Sequence, residues 1–154
     1  MIVLLLVVAA VFGVEFFLKR KVDEQLVEGE ERELLDGKVI LTKHYNEGFA
    51  MNTLKDSPVL VKILNVIVAA IFIFCYTLIV REKGGKVRKV GCALVLGGGL
   101  SNLYDRLVKG HVIDYLRIPF KKLKSLSKII FNLSDVMIAI GSILILFGGS
   151  SKKR

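Results

Sequence analysis

At 154 residues the chain is sized for one domain, and it is 53% hydrophobic with a mean hydropathy of +0.59. That is too apolar for an ordinary soluble domain, and its apolar residues gather in four blocks that approach or reach membrane-spanning length. The formal charge of +9 comes without a basic stripe bearing stacking aromatics, which argues against a nucleic-acid partner; on so apolar a chain, positive charge meets anionic lipid headgroups.

The first block, Ile2 to Leu18, is interrupted only by Gly13 and Glu15. As a helix it covers roughly 26 Å at ~1.5 Å per residue, enough to cross a bilayer with slight thinning. A cleaved signal peptide would carry basic residues before the run and small residues after it. The run instead starts at Met1 and ends Glu15-Phe16-Phe17-Leu18-Lys19-Arg20, so it reads as a retained helix. Glu15 and Lys19 stand at i and i+4, the favourable order for an ion pair, which also lets both charges sit at a membrane edge.

Residues 21–57 form a long polar connection. Its charged first part, to Asp36, reads as helical or solvated; Val39-Ile40-Leu41 suggests a short strand; His44 to Met51 reads as a turn dipping back towards lipid. Asn46 with Gly48 fits a turn. His44 has no second histidine at metal-ligand spacing. Pro58 suits a helix start and opens the second block, which is apolar from Ile63 to Val80 except for Asn65 and Thr77. A basic loop, 81–89, contains Gly84-Gly85. The third block, Val90 to Tyr104, is glycine-rich, as close helix packing requires. Residues 106–128 alternate basic and apolar side chains and read as a segment lying along the headgroups. The fourth block is Ile129 to Phe147. Cys75 and Cys92 both lie in apolar blocks and read as free thiols. There is no internal repeat.

The expected architecture is an all-α polytopic membrane protein, one domain over residues 1–154, with four transmembrane helices at about 2–18, 59–80, 90–104 and 129–147 and a small strand and loop region outside the bilayer. Counting spans puts the 19–58 and 105–130 connections on one side. Asn46, Asp105, Asp114 and Asp135 therefore share a face. Asn102, Asp105 and Arg106 share one side of the third helix, Gly110 breaks it, and Asp114 follows inside Val112-Ile113-Asp114-Tyr115-Leu116.

Carboxylates at the edge of lipid need a partner or a task. Two of them close together do not both ionise easily, so one holds a proton near neutral pH. The ionised member can take a proton from water while the protonated one donates to a carbonyl oxygen. Asp135, near the start of the fourth helix, is favoured in its charged form by the helix dipole, which makes Asp114 the candidate for the protonated member, although a coupled pair titrates as a unit and permits no firm assignment. Ion or proton translocation competes with proteolysis on the aspartates alone.

Asn102-Leu103-Tyr104-Asp105-Arg106, then Gly110, then Val112-Ile113-Asp114-Tyr115, resembles a signature of type II signal peptidase, the bacterial prolipoprotein signal peptidase. Phe131-Asn132-Leu133-Ser134-Asp135 resembles its second signature. Asn46-Glu47-Gly48-Phe49-Ala50 is similar to its asparagine–glycine loop, and Glu15 with Lys19 stands where the family has an acidic–lysine pair.

The resemblance covers the whole chain. It implies an aspartic endopeptidase of the bacterial cytoplasmic (inner) membrane, multi-pass, with cytoplasmic termini and an active site at the extracytoplasmic face. Counting positive residues by the inside-positive rule favours the reverse orientation, because the 106–128 segment is so basic. The implied substrate is a prolipoprotein whose cysteine already carries diacylglycerol, cut just before that cysteine. Asp114 and Asp135 would be catalytic; Asn46, Asn102, Asp105, Arg106 and Asn132 would support the pair or hold substrate; Glu15, Lys19 and Gly48 would be structural. No metal or cofactor is implied, and globomycin-type cyclic peptides would inhibit.

This chain departs from the family pattern at Glu15, which replaces an aspartate, at Phe49 and Met51, and at Ser101 and Ser134. The bulk of Phe49 and Met51 is expected to narrow the substrate entrance. The alternative is a noncatalytic four-helix membrane protein, a small transporter or an inactive paralogue. It would need polar residues along the middle of several helices, whereas here they gather at one end.

Overall fold

The structure, a computed structural model, describes residues 1–48, 57–120, 123 and 125–149. Helix α1 spans Ile2–Gln25, α2 Pro58–Arg81, α3 Lys86–Val108 and α4 Leu133–Phe147. Strands β1 (Glu31–Leu34), β2 (Val39–Asn46), β3 (Val112–Arg117) and β4 (Ile130–Phe131) make one antiparallel sheet in the order β1-β2-β3-β4. The domain is therefore not all-α.

Helices α1 and α2 are long and apolar enough to cross a membrane. The pattern on α1 is inverted relative to a soluble helix: Glu15 and Lys19 are buried, while Leu5, Leu6 and Phe17 point outward. Only a solvent more apolar than water makes such an arrangement favourable, because it covers the hydrocarbon and leaves the charges to pair inside. Helix α2 likewise presents Ile67, Ile71 and Phe74 outward. Helix α4 is apolar but only 15 residues long.

The third helix runs Lys86–Val108 rather than 90–104, and Glu31–Leu34, read as helical or solvated, is a strand; three further boundaries differ from the sequence reading, each for a local reason. Helix α1 runs on to Gln25, where Lys43 ends it: its Nζ donates to the carbonyls of Asp23 and Leu26 at 2.8 and 3.0 Å and pairs with Asp23 Oδ1 at 2.9 Å, neutralising the carbonyl-rich end of the helix. The strand read at 39–41 extends to Asn46, through an irregularity in register between Leu41 and His44. The fourth helix starts at Leu133 rather than 129, because Ile130 and Phe131 pair with β3 and Asn132 is the cap.

Residues 112–117, read as a headgroup-lying connection, are the central strand β3. It is buried from Val112 to Tyr115 because α1 and α4 pack against it. Val22 and Leu26 of α1 join Ile113 and Tyr115 in one core cluster, with Leu133 at its edge. A second cluster of Tyr76, Cys92, Ala93 and Leu96 holds α2 to α3. Cys92 is buried there, Cys75 is exposed, and both are free.

The contact that matters most for the site is between α3 and α4. A Cβ on Gly98 would lie 2.7 Å from the carbonyl oxygen of Ser134, closer than side chains tolerate. Glycine thus lets the two backbones touch one residue before Asp135, and about one helical turn from Asn102. Gly110, with φ +87°, turns the chain from α3 into β3, a conformation that glycine adopts without strain.

Candidate active site

Alternation along β3 decides which side chains meet. Successive residues of a strand face opposite sides, so Asp114 points to the asparagines of β2 and α4 while Tyr115 points to α1. Asp114 is nearly inaccessible. Its Oδ2 accepts from Asn46 Nδ2 at 2.9 Å and its Oδ1 from Asn132 Nδ2 at 2.7 Å.

Asp135 is held by the capping box of α4. Asn132 Oδ1 accepts from the Asp135 backbone N–H, and Asp135 Oδ2 accepts from the Asn132 backbone N–H, both at 3.1 Å, a reciprocal arrangement that satisfies orphan donors at a helix start. Asp135 Oδ1 accepts from Asn102 Nδ2 at 3.0 Å. All four carboxylate oxygens thus receive an amide N–H, and Asn132 serves both acids.

Burial pushes the Asp114 carboxyl up to about 6. The Asn46 hydrogen bond pulls it down, the neighbouring Asp135 charge pushes it up, and the Asn132 hydrogen bond again lowers it. Desolvation and a like charge are the forces that keep one proton on a paired acid.

Behind Asn102 lies a buried charge network. Lys19 Nζ donates to Asn102 Oδ1 at 2.8 Å and to Ser101 Oγ at 3.4 Å. It pairs with Asp105 Oδ2 at 2.8 Å and stands 3.7 Å from Glu15 Oε1. Lys19 therefore polarises Asn102 and fixes which end of that amide faces Asp135. Glu15 is fully buried, and its Oε2 accepts from the Tyr115 hydroxyl at 2.8 Å. The same hydroxyl accepts from the Leu133 backbone N–H at 3.3 Å. Burial and the Glu15 carboxylate push the Tyr115 phenol well above its usual range, so it stays a neutral donor.

Arg106 reaches the other way. Its Nη2 donates to the Gly48 carbonyl at 3.1 Å, and the Gly48 N–H donates to Asn46 Oδ1 at 3.2 Å, an Asx-type turn that aims the Asn46 amide at Asp114. The structure thus brings together Asn46, Gly48, Asn102, Asp105, Arg106, Asp114, Asn132 and Asp135, with Glu15 and Lys19 as their buried support. Asp105 does not touch either acid; it acts on Lys19. Phe49 and Met51 lie outside the described residues. Among the described residues no three or more His, Cys, Asp or Glu side chains converge as a metal-ion site.

Tyr115 is the residue sequence reasoning passed over. It stood in the quoted motif, and strand alternation alone would have turned it away from Asp114 and towards another element. Its partner, on a helix 100 positions away, left no signal.

A cavity of about 520 Å³ runs between α2, α3 and α4 to these acids. Phe72, Leu96, Gly99 and Ile138 line its apolar part, and Asn102, Asp114 and Asp135 its polar part. An inside-out bundle whose apolar cavity ends on two amide-held carboxylates defines a membrane protein built for chemistry at one polar site. The family model for signal peptidase (SPase) II matches residues 7–149. The lipoprotein signal peptidase of Mesorhizobium japonicum is 34% identical over 146 residues, covering 93% of this chain and 82% of that protein. The lipoprotein signal peptidase of Enterococcus faecalis is 30% identical over 145 residues, covering 94% and 86%. A bacterial membrane enzyme solved by the in meso method shares the fold, with a TM-score of 0.81 at 20% identity over 100% of this chain and 95% of that one. The chain belongs to the signal peptidase II family, and it is a peptidase.

Proposed function

We propose that this protein is a membrane aspartic endopeptidase that removes the signal peptide from diacylglyceryl-modified prolipoproteins, cutting just before the lipidated cysteine. Removal of prolipoprotein signal peptides follows from family membership; the catalytic assignment rests on the site. The observation that carries it is the Asn132 bridge, with its side chain on Asp114 and its backbone on Asp135.

In the reaction, Asp135 takes a proton from water as the oxygen attacks the scissile carbonyl carbon. Asp114 gives its proton to the carbonyl oxygen. The tetrahedral intermediate then collapses: one of its hydroxyl protons returns to Asp114, the C–N bond breaks, and the leaving amine takes the proton that Asp135 holds. Asn46 and Asn132 hold Asp114, Asn102 and Asn132 hold Asp135, and Lys19 with Asp105 and Glu15 holds Asn102. Arg106 fixes the Asn46–Gly48 turn.

All four helices cross the bacterial cytoplasmic membrane in this reading, as one domain with cytoplasmic termini and the sheet at the extracytoplasmic face. The outward apolar faces of α1 and α2 support contact with lipid. Helix α4 covers only about 22 Å at ~1.5 Å per residue, against a hydrocarbon core of ~30 Å, so it would cross with local thinning, its Asp135 end at the edge of the apolar layer in this reading. A diacylglyceryl anchor would present the peptide at that depth. The apolar cavity would take the signal segment, and also cyclic peptides of the globomycin type. No metal or cofactor enters this mechanism.

The test is a gel-shift assay with purified protein in liposomes, given a diacylglyceryl prolipoprotein and its unlipidated counterpart. Cleavage of the lipidated form alone is expected. Equal cleavage of both forms would contradict presentation by the lipid, and cleavage of neither would contradict the function.

A further inference from the structure

Asp114 borders two cavities. Besides the apolar one, a smaller cavity of about 280 Å³ is lined by His44, Asn46, Asp114, Ser125, Lys128 and Ile130. The two share Asn46, Asp114, Ile129 and Ile130, so they meet where the reaction would occur. Their linings differ in kind. The larger is walled by apolar helix faces; the smaller adds His44, Ser125 and Lys128 to the shared Asn46, Asp114, Ile129 and Ile130.

The β2–β3 ladder explains how His44 comes to be there. His44 is the direct partner of Asp114, and directly opposed residues of antiparallel strands share a face. Asn46, two residues on, shares it too. Lys128 reaches the same cavity from the short 3₁₀ turn Leu126–Lys128, just before β4.

A peptide cut at Asp114 must leave the site in both directions. The signal segment before the scissile bond is apolar and fits the larger cavity. We infer that the smaller cavity is the subsite for the first residues after the lipidated cysteine, and that His44 and Lys128 make it favour an acidic side chain there. The inference rests on the peptidase reading above and adds which substrates are cut best. A lysine ammonium is a compact charge that attracts a carboxylate and repels another ammonium. Lys128 is solvent-exposed, so the discrimination is that of a screened rim charge and not of a buried pair.

The experiment uses the full chain in liposomes and three diacylglyceryl peptides that differ only in the residue following the cysteine: Asp, Ser or Lys. For the unaltered enzyme, kcat/KM for the Asp peptide should exceed that for the Lys peptide on the order of fivefold, with Ser between. Lys128→Glu should invert the order, and Lys128→Gln should shrink the ratio towards one. Because each ratio is taken within one preparation, a loss of folded enzyme does not alter it, and the unaltered enzyme alone can refute the idea. Equal kcat/KM for the Asp and Lys peptides would overturn the subsite and leave the peptidase reading standing. Failure to cut any of the three would overturn the peptidase reading, and the subsite with it.

Discussion

The Tyr115 hydroxyl donates to Glu15 Oε2 across 2.8 Å, tying the strand that carries Asp114 to the first helix. Both groups are buried. Tyr115→Phe would leave a buried carboxylate oxygen and the Leu133 N–H without this partner. The expected cost is about 1–3 kcal/mol, read as a fall in Tm of several degrees at ~2–4 °C per kcal/mol for a chain of this size. An unchanged Tm in differential scanning fluorimetry would show that the bond contributes nothing net.

Lys19 is the hub of the buried charges. Lys19→Met removes the cation between Asp105 and Glu15 and strands two carboxylates, which in buried pairs costs about 3–5 kcal/mol. Little folded protein is expected. The double change Lys19→Met with Asp105→Asn should recover part of the loss, because one of the uncompensated charges is gone; Lys109, 3.4 Å from Asp105, already screens that site in part. Strict additivity of the two single changes would mean that they do not interact.

The 83 positions that separate Lys19 from Asn102 show what the sequence could and could not reveal. The apolar blocks placed four helices, and the spacing of Asn102, Asp105 and Arg106 placed them on one side of α3, because helix periodicity is local. The i, i+4 spacing found the Glu15–Lys19 pair for the same reason. It did not show that Lys19 prefers Asp105, at 2.8 Å, to Glu15, at 3.7 Å; that follows from how α1 packs on α3. Sheet pairing is non-local as well. Val112 to Arg117 was hidden because it lies within a run of alternating basic and apolar residues that reads as a headgroup segment, and Ile130-Phe131 is too short for any period to show. The asparagine bridge needed both: Asn132 had to cap α4 and lie beside β3.

Acidity gives a further handle. The Asp114 carboxyl lies at about 6 in the folded protein against an ordinary 3.8, so the folded state binds its proton more tightly than the unfolded chain does. The penalty for its charge is present above pH 6 and is relieved as pH falls from about 6 towards 4, a gain on the order of 2–3 kcal/mol. Asp114→Asn lacks that proton uptake. The Tm difference between the variant and the unaltered protein should therefore shift in favour of the unaltered protein between pH 7.5 and pH 4.5. A difference that is flat with pH would place the Asp114 carboxyl at its ordinary value.

The central claim is that Asp114 and Asp135 work as one acid–base unit, and single and double substitution tests it most directly. Asp114→Asn and Asp135→Asn keep the shape and remove the exchangeable proton. With general acid–base contributions of ~10²–10⁴-fold and strong non-additivity among groups that act together, each single variant should cut a diacylglyceryl prolipoprotein at less than about one-hundredth of the normal kcat. The double variant should be little slower than either. The measurement is kcat in liposomes for the four proteins, each at matched folded concentration. If Asp135→Asn kept half the normal rate, or if the two losses multiplied in the double variant, the two carboxylates would not be the catalytic pair.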